Sequence, residues 1–419
     1  MRFEVSRVMD TIEQRLTTDV TLAQAVVDLS EVARFVGLDG GRPINLLRVG
    51  MVVDALGRYL IDAGAMLYPV VGREMLSEAA LTSKERMVLG RWADDGLIEV
   101  TPMVNDRAAE IADFTGLPLI AVRDQRSYAK RFPWVLDNPE RVLRLAPRTG
   151  GAVLTPGGDY LPNAEGKEPK VVIGKATLPI VPLEETETST EPESFTTRGA
   201  QRFTRTRVVR RRFTRAEPSG VGASLMAREW RCPQPECPAF GKDRLIGQPV
   251  PRMRAGVPAC PRHGDSLKDV GPRPPAFAVS VVVDDLARRR FVVRTDKPAV
   301  VGRQPEDPDQ IAVGDYLHEA AAAWIAKEHL RLEVQDDALV VIDTSENGTL
   351  LWKRSGPDDA AETERLYHKP YKLEGWDSVE LYTGVELVLG EHRLATIVGP
   401  ESPVSVLLDA PTVASRLVD

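Results

Sequence analysis

Four residues could hold a metal ion by their types and spacing alone. Cys232-Pro-Gln-Pro-Glu-Cys237 is followed, after 22 intervening residues, by Cys260-Pro-Arg-His263. Two short-spaced pairs joined by a loop have the spacing of a structural zinc site. Each turn presents two ligands, and the four satisfy tetrahedral Zn²⁺ as a Cys₃His set. All 3 cysteines of the chain lie in this window, which rules out a disulfide scaffold and makes three unrelated thiols the poorer account. The segment is rich in Pro and Gly and has few apolar residues to fold around, so the metal would supply its folding free energy. Four protein ligands leave no position for water, which argues against a catalytic zinc.

Aspartates form a second set, and their chemistry depends on the elements that carry them. Val32 to Asp39 reads as a short β-branched strand ending at Gly40-Gly41. Pro43 to Ala63 has helical apolar spacing, with Pro at its start and Gly64 beyond its end. Ala65 to Val71 is a second strand, and Thr82-Ser-Lys-Glu85 reads as a capping box opening a helix that runs towards Gly96. Leu97 to Thr101 is a third strand, Asp106 to Phe114 a helix closed by Gly116, and Pro118 to Val122 a fourth strand. This alternation predicts an α/β domain built on a parallel sheet over residues 1–147. The alternative, one helix over Thr21 to Val36, would take Asp39 away from a strand end; Gly37 and the β-branched run weigh against it.

Ligand sites of open parallel sheets form outside the carboxyl ends of the strands. There Asp39, Asp106 and Asp124 would converge and hold Mg²⁺ or Mn²⁺, with Glu110 one helical turn after Asp106 as a fourth acid. A metal so held deprotonates water for in-line attack on a phosphodiester. Each aspartate taken singly is also accounted for as a turn or cap residue.

Over residues 30–145 the arrangement resembles the PIN/NYN ribonuclease fold, in particular its regnase-type branch. That family has a first-strand Asp-Gly, a mid-domain acid pair, and a late strand ending in Asp before an aromatic-basic stretch. The last is similar to Leu119-Ile-Ala-Val-Arg-Asp124-Gln-Arg-Ser-Tyr-Ala-Lys-Arg-Phe-Pro-Trp134 here. The resemblance implies a Mg- or Mn-dependent ribonuclease with Asp39, Asp106 and Asp124 as its catalytic residues. Two positions depart from the pattern: Asn105-Asp106 replaces the acid pair, and the asparagine expected after the first Asp-Gly falls at Asn45. An inactive PIN-like domain is the alternative.

From Phe277 to Val398, short Val/Leu/Ile strands separated by turns predict an all-β sandwich. In it lie Gly302-Arg303, Lys327-Glu-His329 and Asp343-Thr-Ser-Glu-Asn-Gly-Thr349. Their order resembles a forkhead-associated (FHA) domain, covering residues 277–400. The resemblance implies phosphothreonine-peptide binding in which Arg303 contacts phosphate, Ser345 and Asn347 support it, and His329 braces the loop. Guanidinium–phosphate pairing and an asparagine on the peptide backbone suit that task. Ala326 stands where the family has Ser, removing one hydroxyl from the phosphate contacts, and phosphate-independent binding is the alternative.

Residues 148–227 have the composition of a linker. Its tract Glu184 to Glu193 sets Thr186, Thr188 and Thr190 among glutamates; phosphorylation there would add charge complementary to Arg303 on the same chain. The stretch Arg202 to Arg215, with Phe203 and Phe213 for stacking, could track an RNA backbone. The 419 residues thus divide into the α/β domain, this linker, a zinc ribbon at 228–272, the sandwich and a tail at 401–419. A net charge of −7 excludes a uniformly basic nucleic-acid binder but not a local basic patch. No apolar run is long enough to span a membrane and no secretory signal is visible, so a cytoplasmic, membrane-free location is expected. The expected function is a metal-dependent ribonuclease coupled to phosphopeptide recognition, with RNA and a phosphorylated protein as partners. A non-catalytic adaptor is the alternative.

Overall fold

The computed structural model describes residues 2–157 and 216–389, apart from 61, 103, 105, 125, 217, 243–246, 248, 285 and 357–359. The acidic tract, the arginine-rich stretch, Asn105 and the tail lie outside the described residues. No described helix is long and apolar enough to cross a membrane.

The N-terminal unit is a six-stranded sheet. Its strands are β1 (Ala25–Asp28), β2 (Leu67–Gly72), β3 (Glu99–Thr101), β4 (Leu119–Ala121), β5 (Val142–Arg148) and β6 (Gly151–Pro156). They lie in the order β3-β2-β1-β4-β5-β6; the first five are parallel and β6 returns antiparallel along β5. All of β1 and β2 is buried, as expected for central strands covered on both faces. The helices are α1 (Arg2–Glu13), α2 (Leu29–Arg34), α3 (Arg48–Leu60), α4 (Ser83–Asp94) and α5 (Arg107–Thr115). The expected capping box opens α4: Thr82 Oγ1 accepts from Glu85 N, and the Glu85 carboxylate accepts from Thr82 N.

Two corrections concern this unit. Val32 to Asp39 is no strand: α2 continues to Arg34 and a 3₁₀ turn covers Val36–Leu38. The first strand lies earlier and ends at Asp28, whose carboxylate caps α2 by accepting from Glu31 N at 3.1 Å. The unit also runs past residue 147, because the β5–β6 hairpin extends it to Pro156.

Short elements connect the sheet to the ribbon on either side of the undescribed stretch. α6 (Arg126–Ala129) and α7 (Trp134–Asp137) precede β5, and α8 (Gly220–Met226) packs across α5 within the span read as linker. The ribbon has β7 (Arg228–Arg231), β8 (Arg252–Arg254), β9 (Val257–Ala259) and β10 (Lys268–Pro272), paired as β7–β10 and β8–β9. It is not a free-standing unit. Phe240, Val250 and Leu267 share one buried cluster with Val26, Tyr68 and Ile111 of the sheet.

The C-terminal unit is a sandwich of antiparallel-dominated sheets. Its elements are β11 (Ala276–Val283), β12 (Leu286–Arg294), β13 (Ala299–Gly302), β14 (Ile311–Ala312), α9 (Glu319–Ala322), β15 (Leu330–Gln335), β16 (Ala338–Asp343), β17 (Thr349–Lys353), β18 (Glu362–Leu366), β19 (Pro370–Lys372), β20 (Ser378–Tyr382) and β21 (Val385–Leu389). One sheet runs β12-β11-β21-β20-β17-β18 and the other β14-β13-β15-β16-β19. Their inner faces, including Val281, Val301, Leu332, Val341 and Val379, form one core. Arg290 of β12 pairs with Asp62 of the α/β unit, and both side chains are nearly inaccessible.

Candidate functional site

Three places assemble chemistry-bearing side chains. In the first, Cys232, Cys237, Cys260 and His263 come together, with all four ligand atoms within 4.8 Å of one another. Cys237 Sγ lies 3.7 Å from Cys260 Sγ, and His263 Nδ1 lies 3.5 Å from Cys232 Sγ and 3.6 Å from Cys260 Sγ. A tetrahedral zinc with Zn–S about 2.3 Å and Zn–N about 2.05 Å places sulfurs about 3.8 Å apart and S···N pairs about 3.6 Å apart. The donor set fits that ion in type and spacing. Each turn is shaped by its own backbone: Gly241 N donates to Cys237 O, Gly264 N to Cys260 O, and Phe240 N to Cys237 Sγ at 3.3 Å. The Cys260 contact, then the Phe240 and Ala239 amides working against burial, pull Cys237 down to about 5. Burial pushes the Cys232 thiol up and the contact with Cys237 pushes Cys260 up, so the thiolate favoured among the three is that of Cys237.

The second place is the edge of the parallel sheet where chain order reverses between β1 and β4, the position at which such sheets bind ligands. Asp28 ends β1, and burial followed by the charge of Glu31 pushes its carboxyl up to about 7. Burial also raises Glu31, against the opposing pull of Arg123 and Tyr128. Arg123, just past β4, pairs with Glu31 and reaches Asp106 at 3.6 Å while stacking over Tyr128 at 4.7 Å. Asp106 precedes α5 with a left-handed backbone (φ 59°) and makes no side-chain cap. Asp124 is exposed and closes its own turn, accepting from Arg126 N at 3.1 Å.

Asp39 is absent from this group. Its carboxylate accepts from Arg48 Nη2 at 2.7 Å, Asn45 Nδ2 at 2.8 Å and Gly41 N at 2.9 Å. Although burial works the other way, these donors hold its carboxyl below the usual range. The expected trio Asp39, Asp106 and Asp124 therefore does not converge, because a helix and a turn carry the chain away from the edge before Asp39. Glu110 is also turned elsewhere: it accepts from buried Arg107 at 2.8 Å. Among the described residues the Cys₃His set is the one group of three or more such ligands close enough to share an ion.

The third place is one end of the sandwich. Arg303 N donates to Ala326 O, Thr344 N to His329 O, and Thr344 Oγ1 to Glu328 O, tying three loops together. Gly302 is required there, since a Cβ would come 2.0 Å from Lys327 O. The half-exposed Arg303 guanidinium has no hydrogen-bond or ion-pair partner among the described residues. Asn347 is exposed, and its carbonyl accepts from Arg365 at 2.7 Å. Ser345 is buried and donates to Asp343 Oδ1, so its hydroxyl points inward. Buried His329 accepts from Ala326 N through Nδ1 at 3.2 Å, as a loop brace would.

No family model matches the chain, and no curated protein matches it. Among solved structures, the FHA domain of a Chlamydia trachomatis protein is similar at 20% identity over 28% of this chain and 99% of that chain, with a TM-score of 0.21. The FHA domain of an Arabidopsis thaliana hypothetical protein is similar at 22% identity over 31% of this chain and 92% of that one, TM-score 0.21. Mycobacterium tuberculosis EmbR, solved with a low-affinity phosphopeptide, is similar at 14% identity over 33% of this chain and 27% of that one, TM-score 0.19.

Proposed function

We propose that this protein is an adaptor whose C-terminal sandwich binds a phosphorylated segment of a partner protein. Arg303 pairs with the phosphate, Asn347 holds the peptide backbone, and Ser345 shapes the loop from inside. The observation that carries this reading is the uncommitted Arg303 guanidinium on a segment bonded to the neighbouring loop at Ala326. An arginine with no partner among the described residues is a ready partner for a phosphate dianion. With Ala326 in the adjoining loop, phosphate is held without a hydroxyl from that position. The test is titration of the full chain with phosphothreonine peptides and their unphosphorylated forms. Binding that ignores the phosphate, or survives Arg303→Ala, overturns the reading. On the same view the chain has two bodies, the α/β sheet with its docked metal ribbon and the sandwich.

A second reading, a metal-dependent ribonuclease, is favoured by one observation: Asp28, Glu31 and Asp106 face a common cation, Arg123, at the switch point of the sheet. On this reading Asp28, and not Asp39, is the acid at the end of the first strand. Cleavage of RNA with Mg²⁺ or Mn²⁺ that is lost in Asp28→Asn supports it, and no cleavage by the wild type removes it.

A further inference from the structure

Arg107 joins the metal cluster to the strand-end cleft. Its side chain is fully buried. Nε donates to Glu99 at 2.6 Å and Nη1 to Glu110 at 2.8 Å, two carboxylates that keep the cation charged despite the burial. Nη2 also donates to Glu99 at 3.2 Å, and two contacts leave the sheet: Nη2 reaches Val250 O at 2.6 Å and Nη1 reaches Pro251 O at 3.4 Å. Val250 N in turn donates to Tyr68 Oη, which donates to Glu99 at 2.6 Å, closing a ring of polar contacts between ribbon and sheet.

From Pro251 the chain runs straight into the β8–β9 hairpin and from β9 into Cys260. Arg252 adds a bond to Thr101 at 3.2 Å. On the other side, Arg107 is the first residue of α5, next to Asp106 in its left-handed conformation. That aspartate is the one Arg123 reaches in the cleft. The ribbon's Phe240, Val250 and Leu267 belong to a core shared with the sheet, so beyond that shared core its order rests on what holds its four ligands together.

We propose that a tetrahedral metal ion on Cys232, Cys237, Cys260 and His263 fixes the position of Asp106 in the strand-end cleft, with Arg107 as the positioning residue that carries the ribbon's placement into α5. The ion would be of the soft-to-borderline class that thiolate and imidazole select, and zinc is the probe. Two states differ physically. With metal, two carbonyls satisfy the inner guanidinium; without it, the ribbon releases them and the start of α5 opens to solvent.

The experiment is amide hydrogen exchange on the full chain during a zinc titration, with chelator-stripped protein as the starting point. In the wild type, protection at residues 106–112 and at 228–272 rises together with zinc, by at least about 10-fold at the start of α5, while β15 and β16 do not respond. In Arg107→Lys, the ribbon still gains protection with zinc but residues 106–112 no longer follow it. Three results overturn the proposal: no zinc uptake, zinc-dependent protection confined to 228–272 in the wild type, or an Arg107→Lys chain whose α5 follows zinc as before. If Arg107→Lys does not fold, the wild-type titration alone decides between the first two results and the expected one.

Discussion

The Ser345 hydroxyl donates to Asp343 Oδ1 at 2.7 Å, and both side chains are buried. The same hydroxyl oxygen accepts from Gly348 N at 2.9 Å, and Thr349 Oγ1 donates to the same Asp343 oxygen at 2.8 Å. Asp343 therefore organises the loop from inside, while Arg303 faces outward from the neighbouring one. On the proposed function the two residues divide shaping from binding.

That division predicts opposite profiles for two variants. Ser345→Ala leaves Gly348 N without its acceptor and takes one of two hydroxyl donors from buried Asp343 Oδ1, which lowers stability by about 1–3 kcal/mol. Arg303→Ala, at a half-exposed side chain with no partner, changes stability by no more than about 0.5 kcal/mol but abolishes phosphopeptide binding. Urea unfolding and peptide titration separate the two. Equal losses of affinity would show that Ser345 touches the ligand.

The four-ligand cluster predicts thiol behaviour. With one zinc bound per chain, Cys232, Cys237 and Cys260 resist a thiol reagent under native conditions, because coordinated sulfur is a poor nucleophile and all three are buried. A chelator strong enough to strip the ion exposes all three at once. Thiols that react equally fast with and without zinc would show that no ion is held there.

Several features were legible in the sequence because their determinants are local. Ligand spacing exposed the Cys₃His set, and Thr82 with Glu85 exposed the start of α4. The first strand was misplaced because two short β-branched runs, Ala25 to Val27 and Val32 to Val36, compete for it. A signal that separates them was present: Asp28 followed three residues later by Glu31 is an N-cap pattern, which puts a helix start at Asp28 and ends the strand there. The docking of the ribbon had no such signal. It depends on Arg107 meeting Val250 and Pro251, 143 and 144 residues away, and on apolar contacts to a sheet face that no local pattern reveals.

The Asp39 correction has its own consequence. Arg48 is fully buried, and besides Asp39 it bonds Ala33 O at 2.5 Å and Pro43 O at 3.3 Å. Removing its carboxylate leaves a buried cation with neutral partners only, a change that costs about 3–5 kcal/mol. Asp39→Ala is therefore expected to lower the urea midpoint of the α/β unit sharply. Asp124→Ala, at an exposed turn, should lower it little. Near-equal midpoints for the two variants would return Asp39 to the list of candidate functional acids.

His329 predicts how the sandwich responds to acid. Its ring is inaccessible; Nδ1 accepts from Ala326 N, so Nε2 carries the proton, and Nε2 has no hydrogen-bond partner among the described residues. Burial holds its pKa below the usual 6.5, only partly opposed by the Asp343 carboxylate. Between the folded value and 6.5 the unfolded chain therefore binds more protons, so stability falls as pH drops through that window and is fully present above it. His329→Asn keeps an acceptor for Ala326 N but removes the titration. The stability advantage of the wild type over this variant should shrink as pH falls from 7.5 to 5, read by urea unfolding of the sandwich. A gap that stays constant across that range would show that His329 ionises alike in both states, and that the acid sensitivity of this unit lies elsewhere.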